Sequence, residues 1–212
     1  MNFIIFASFT VFCAWLALQL RKSRNLDEKA KQDFWKEESM TNSVRKKQLE
    51  DSDFVSFPFH KLPTPESFSS EELPPSLELL NGLAEKKMVN LNGISNTEVK
   101  KRYGAANMTI LSEYDANYEC FVKNIYMLCQ YLYDIGRKEE AIMLSEETIL
   151  TGSDSLSHYK LLILMYRESG NYGGIDWLKE KAQEIHSLTK GAILRALSED
   201  SLAPETPLEI AP

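Results

Sequence analysis

Three successive patterns of apolar and polar residues run along the chain. The first is the apolar run Phe3 to Leu20 (FIIFASFTVFCAWLALQL), which carries no charge and one strongly polar side chain, Gln19. As a helix it would span roughly 27 Å, close to the ~30 Å hydrocarbon core of a bilayer. Its apolar side chains fall on every side, which suits lipid better than a core-facing stripe. A helix also satisfies its own backbone amides where no water can. The second pattern, Asn25 to Leu49, interleaves Lys and Glu with only a few large apolar groups, Phe34, Trp35 and Met40 among them. Here the first helix can continue, its charges pairing along the surface. The third pattern begins near Leu77. It predicts helices over Leu77–Met88, from the capping-box spacing Ser95-x-x-Glu98 through Tyr103 to a stop at Gly104, and over Thr189–Leu197.

Proline placement sets the boundaries between these patterns. All eight prolines lie in two stretches, Pro58 to Pro75 and Pro204 to Pro212, and none occurs between Ser76 and Ala203. Consecutive helices need such a proline-free stretch. The organisation expected is an anchor at 1–20, a charged juxtamembrane helix or stalk at 21–50, and a Pro/Ser-rich extended linker at 51–76. A helical domain at 77–199 and a disordered tail at 200–212 follow. The fold class expected is all-α.

Within the helical domain the chain repeats itself. The segment Asn124 to Gly152 (NIYMLCQYLYDIGRKEEAIMLSEETILTG) is followed by Ser157 to Ile185 (SHYKLLILMYRESGNYGGIDWLKEKAQEI), and the two align with Gly136 on Gly170. In that register Ile125 matches Tyr159, Leu128 matches Leu162, Leu132 matches Tyr166 and Ala141 matches Ile175. Each unit is an apolar helix, a Gly turn and a second amphipathic helix. This resembles the tetratricopeptide repeat, whose helix–turn–helix unit recurs with the same period of about 34 residues. The family's Trp-x-x-Leu-Gly-x-x-Tyr element stands here as Ile125-x-x-Leu128-Cys129-x-x-Leu132 and Tyr159-x-x-Leu162-Ile163-x-x-Tyr166. Its second-helix aromatic is replaced by Ser145 and Lys179, and its closing proline by Ser153 and Ser187.

The resemblance implies antiparallel helical hairpins stacked at about 122–153 and 156–187. Two units need flanking helices to cover their open faces. It also implies a concave groove lined by the first helix of each unit: Lys123, Tyr126, Gln130 and Tyr133, then Lys160, Leu164 and Arg167. Tyr and Arg are frequent binding anchors, and the basic groups suit a carboxylate or an acidic segment. The alternative is that Tyr126 and Leu164 pack against neighbouring helices. Asp33-Phe34-Trp35, Ser95-Asn96-Thr97, Tyr103-Gly104-Ala105-Ala106-Asn107 and Tyr114-Asp115 together resemble elements of uncharacterised, membrane-anchored repeat proteins of anaerobic Gram-positive bacteria. That likeness brings no activity with it.

Charge changes the picture in one respect. The net charge is −7, yet residues 21–48 carry nine basic against five acidic groups, leaving −11 on residues 49–212. An acidic domain excludes nucleic acid as the main partner. Arg21, Lys22 and Arg24 directly after the apolar run determine topology: the amino terminus outside, the helical domain cytoplasmic, the chain held in the cell membrane by residues 3–20. A cleaved signal peptide fits these flanks less well, because the basic cluster follows the apolar run. Arg21, Lys22, Arg24, Lys29 and Lys31 either grip anionic lipid headgroups or serve topology alone, and Asp27, Glu28 and Asp33 dilute them in favour of the second reading. Of the three cysteines, Cys120 and Cys129 fall on opposite faces of one helix, so reduced thiols are expected.

Catalytic chemistry finds little support. His60, His158 and His186 are scattered and read as surface histidines, and no metal-ligand spacing occurs. Gly173-Gly174 reads as a helix start rather than a phosphate loop, and no Gly-x-Ser-x-Gly elbow is present. Tyr114, Asp115 and Asn107 are candidates that no spacing demands, and Asn107-Met108-Thr109 matches a glycosylation sequon. The expectation is a scaffold or adaptor that binds a protein or peptide, with no enzymatic activity and no cofactor. Two alternatives stand beside it: a structural subunit of a membrane complex that self-associates, and an extracytoplasmic factor released by signal cleavage.

Overall fold

Helices account for all regular structure in the computed structural model, which describes residues 2–68 and 73–201, apart from the side chains of Asn2, Ile4, Ile5 and those at 199–201. Among the described residues eight α-helices follow one another: α1 (Asn2–Asn42), α2 (Pro75–Leu83), α3 (Asn96–Tyr103), α4 (Met108–Asp134), α5 (Lys138–Leu150), α6 (Leu156–Glu168), α7 (Tyr172–Glu184) and α8 (Lys190–Ser201). There is no strand among them, and the all-α class holds. The chain divides into two units, residues 1–47 with 96–107, and residues 48–95 with 108–212.

The first unit is built on α1. Its helix carries the apolar run on into the charged stretch without a break and ends where Ser43 and Val44 donate to the carbonyls of Met40 and Thr41. Among the described residues no helix is long and apolar enough to cross a membrane. The expected anchor at residues 1–20 includes Met1 and the side chains of Asn2, Ile4 and Ile5, which lie outside that description. The short α3 is held to the last turns of α1 by charge: Lys100 pairs with Glu38 and Lys101 with Glu37, while Thr97 Oγ1 donates to Glu38 Oε2 at 3.3 Å. Lys100 first of all holds the Glu38 carboxyl below the usual carboxylate range.

α3 stops at Gly104 as its sequence predicts, and the reason is tertiary as well as local. Gly104 has φ 84°, and a Cβ there would come within 2.8 Å of the Arg45 carbonyl carbon. Only glycine meets both conditions. Next to it Asn107, 1% exposed, donates from Nδ2 to the carbonyls of Lys47 and Tyr103, each at 2.7 Å. Asn107 is therefore a structural clasp. Its amide nitrogen is already engaged, so the sequon is not an available acceptor.

The second unit corrects two expectations. The stretch expected as a linker is part of the core: Phe57 and Leu62 are buried, and Phe57 packs on Phe121 with ring centroids 4.7 Å apart. Lys61 pairs with Glu147, and the Arg137 guanidinium lies 4.7 Å from the Phe68 ring while bonding Ser67. This strap has no helical or strand period, since Phe57, Phe59, Leu62 and Phe68 reach the core one at a time. Likewise α2 ends at Leu83 rather than Met88. Ala84 caps it on the Asn81 carbonyl, and Met88 is instead buried in an extended segment whose carbonyl accepts from Val55 N–H at 2.8 Å.

α4 is 27 residues long and starts well before the repeat unit expected at 122. No Gly or Pro interrupts it, and Leu111, Tyr118, Phe121, Ile125, Leu128 and Leu132 form one buried face. From α4 to α8 each helix packs on the next, and α6 also touches α4 and α8. Ring contact between Tyr126 and His158, and a hydrogen bond between Tyr133 and Glu168, join an earlier and a later turn of α4 to an earlier and a later turn of α6. These two helices therefore run in the same direction, and α5 between them runs back.

The turns that end α4 and α6 share one hydrogen-bond pattern. At the first, Ile135 N–H donates to Tyr131, Gly136 to Tyr133 and Arg137 to Leu132, at 3.1, 3.0 and 2.8 Å. At the second, Ser169 donates to Met165, Gly170 to Arg167 and Asn171 to Tyr166, again at 3.1, 3.0 and 2.8 Å. Each is a Schellman stop with its glycine at positive φ, 82° and 69°. All eight residues paired across the register, from Ile125 with Tyr159 to Ala141 with Ile175, are buried. The expected tail at 200–212 falls almost wholly outside the described residues, and α8 continues to Ser201.

Candidate functional site

Successive turns of α4 present two faces. Phe121, Leu128 and Leu132 point to the core; roughly opposite lie Glu119, Lys123, Tyr126, Gln130 and Tyr133. Beside that outer face is a cleft of about 330 Å³, lined by Tyr118, Glu119, Val122, Lys123 and Tyr126 of α4, by Asn92, and by Ser155 and Ser157 at the start of α6. Two of the seven groove residues expected from the sequence, Lys123 and Tyr126, meet there. Gln130, Lys160, Leu164 and Arg167 are exposed but line no part of this cleft.

The walls are held by hydrogen bonds from a loop before α3. Asn90 Nδ2 donates to the Gly152 carbonyl at 2.9 Å and to Tyr118 Oη at 3.2 Å. Asn92 Nδ2 donates to Asp154 Oδ1 at 2.8 Å, and Asp154 Oδ2 accepts from Thr189 Oγ1 at 3.0 Å. These bonds tie the loop to the α5–α6 turn and to the start of α8. Burial pushes the Tyr118 phenol up to about 12, so it stays a neutral hydrogen-bonding group.

Tyr133 is not a free contact residue. Its hydroxyl donates to Glu168 Oε1 at 2.7 Å, and Lys138 Nζ reaches Glu168 Oε2 at 2.6 Å while standing 5.2 Å from the Tyr133 ring. That carboxylate raises the Tyr133 phenol above its ordinary value, and Lys138, then Tyr133, lower Glu168. The three side chains join the ends of α4 and α6. Tyr126 is half-buried, its ring edge-on to His158 at 5.4 Å, so it contributes to packing and to the cleft together.

His158 corrects the surface reading. It is wholly buried, neither ring nitrogen has a hydrogen-bond partner, and burial lowers its pKa from 6.5 to about 4. The register carried a signal for this: one repeat period before His158 stands Asn124, also a buried polar residue. Sequence reading also missed Asn92, Ser155 and Ser157, because loop residues acquire a role only through the helices they join.

The chemistry available in the cleft is hydrogen bonding and charge. Lys123 offers an ammonium, Ser155 and Ser157 offer hydroxyls, and α6 begins there without a side-chain cap bond or an acidic residue in its first turn. The first-turn amides of a helix favour a carbonyl or carboxylate. The other candidates serve structure: Tyr114 lies edge-on to Phe54 at 5.7 Å, and Asp115 Oδ1 accepts from Leu91 N–H at 3.1 Å. Cys129 is buried, with its thiol pushed up to about 12, and Cys120 is exposed. No family model, curated protein or solved structure matches this chain.

Proposed function

We propose that the chain is a membrane-tethered, tetratricopeptide-like scaffold. Its helices α4 to α8 bind a protein or peptide on the face that carries Lys123 and Tyr126. The observation that carries this reading is the cleft beside the outer face of α4, the face that a tetratricopeptide-type stack turns toward a ligand. The repeated turn bonds and the shared direction of α4 and α6 support a stack of antiparallel hairpins. Tethering is supported by α1, on which Phe6, Phe9, Phe12, Trp15, Leu18 and Leu20 are all exposed. Water is a costly surrounding for that many apolar side chains, and hydrocarbon is not. The basic residues after Leu20 orient the helical domain toward the cytoplasm. Holding a partner at a bilayer raises its effective concentration there.

A photo-crosslinking amino acid placed at Lys123 of the intact chain in its native membrane tests the reading. Adducts with another protein at position 123, and few at the exposed Leu150 on α5, are expected. Equal yields at both positions would remove the groove. Adducts only to a second copy of the chain would replace the scaffold with a self-associating subunit.

A further inference from the structure

Where the apolar part of α1 meets its first cations, one face of the helix is hollow. Ala14, Ala17, Leu18, Arg21 and Arg24, all exposed, border a shallow, open depression of about 460 Å³. These positions fall within about a third of the helix circumference, and the hollow extends over roughly 15 Å of helix axis. Side chains on a helix lean toward its amino terminus. Arg21 therefore leans back toward Ala17 and Leu18, and Arg24 toward Arg21, while the single methyl groups of Ala14 and Ala17 leave the helix surface before them low. Asp27 and Glu28 stand a turn further on, yet among the described residues no ion pair joins them to either arginine.

We infer that this hollow is a binding site for one anionic phospholipid, its acyl chain along Ala14 and Ala17 and its phosphate between the guanidinium groups of Arg21 and Arg24. The inference rests on α1 standing in a bilayer, as proposed above. Arg24 would then lie about 6 Å past the end of the apolar run, inside the headgroup layer that adds roughly 5–7 Å to each side of the hydrocarbon. Two arginines one helical turn apart present paired donors to a phosphate, with a fit that a diffuse cloud of lysines does not have. A second protein helix would also fit against small residues, but it would bury two like charges with no acid opposite, whereas an anionic lipid supplies the missing charge. On this proposal the two arginines bind a headgroup as well as setting topology.

Trp15, next to Ala14 and 55% exposed, reports on the occupant. The intact chain is reconstituted in zwitterionic vesicles containing the same low mole fraction of acyl-brominated phosphatidylglycerol or acyl-brominated phosphatidylcholine, and Trp15 fluorescence is read. Trp35 and Trp177 lie outside the apolar run and supply an unquenched background. The anionic lipid is expected to quench roughly fivefold more effectively, the scale of one basic side chain's attraction to an anionic surface. The preference should vanish in Arg21→Gln/Arg24→Gln, where Lys22, Lys29 and Lys31 keep the orientation. It should vanish equally in Ala14→Leu/Ala17→Leu, which fills the hollow and leaves every charge in place. Equal quenching by both lipids in the native chain overturns the site, as does a preference that survives the Ala→Leu changes, since charge alone would then suffice. If neither lipid quenches Trp15, the helix is not in the bilayer, and the anchor reading fails together with the site.

Discussion

Lowering the pH drives a proton toward His158 at a position that offers it no acceptor. The ring is 0% exposed, both nitrogens lack partners, and the only cause lowering its pKa is burial. Above pH 6.5 the imidazole is neutral in the folded and the unfolded chain alike, and the group contributes nothing to the pH dependence. Between 6.5 and about 4 the unfolded chain binds a proton that the folded chain refuses, so stability falls as pH falls through that window. At about 1.36 kcal/mol per pH unit the gap is worth roughly 3 kcal/mol, a large share of the ~5–15 kcal/mol of an ordinary domain. Urea unfolding of the intact chain in mild detergent measures it, followed by Trp177 fluorescence with Trp15→Phe and Trp35→Phe in the background. His158→Leu is the comparison. It keeps the bulk and cannot be charged, so its acid loss should be smaller by about 3 kcal/mol. At neutral pH it should equal or exceed the native chain, because two unsatisfied ring nitrogens, each costing about 1–3 kcal/mol, are gone. Parallel pH profiles for the two proteins would refute the reasoning.

Three further outcomes are expected. Phe57→Ala should cost about 3–5 kcal/mol in thermal or urea unfolding, since the ring is buried on Phe121, and a fragment from Gln48 should melt cooperatively where one from Leu77, stripped of the strap, does not. Gly104→Ala should release α3 from α1, at a cost of roughly 2 kcal/mol or more from positive φ and the Arg45 clash. Hydrogen exchange at residues 96–107 should then rise sharply while α6 stays protected, and unchanged exchange would count against the clasp. Maleimide should modify Cys120 in the folded chain and reach Cys129 only on unfolding, because burial keeps that thiol protonated and covered. Equal labelling rates would show that α4 is not packed as described.

Local pattern carried the helical part of this protein. The repeat register, the buried partners Leu128 and Leu162 or Leu132 and Tyr166, and the stops at Gly104, Gly136 and Gly170 all depend on residues within one or two turns of each other. Periodicity and the need for positive φ express such relations directly. The opposite faces of Cys120 and Cys129 followed from helix geometry in the same way. The cleft was legible only in part: the resemblance pointed to Lys123 and Tyr126, but the sequence gave no sign that Glu168 would engage Tyr133 or that Tyr126 would lie against His158.

Tertiary structure decided what distance along the chain conceals. The strap around Phe57 has no period, and its burial depends on Phe121, Tyr131 and Arg137, which lie far along the chain. Lys100 and Glu38 are 62 residues apart, and nothing in either segment marks the other as its partner. The same holds for the loop from Asn90 to Asn92, whose amides shape the cleft only once α4, α6 and α8 converge on it. A sequence alone states which side chains must leave water and which glycines must bend. It leaves open which polar group each remaining donor meets, because many pairings satisfy the same hydrogen-bonding demand and only the packed helices select one.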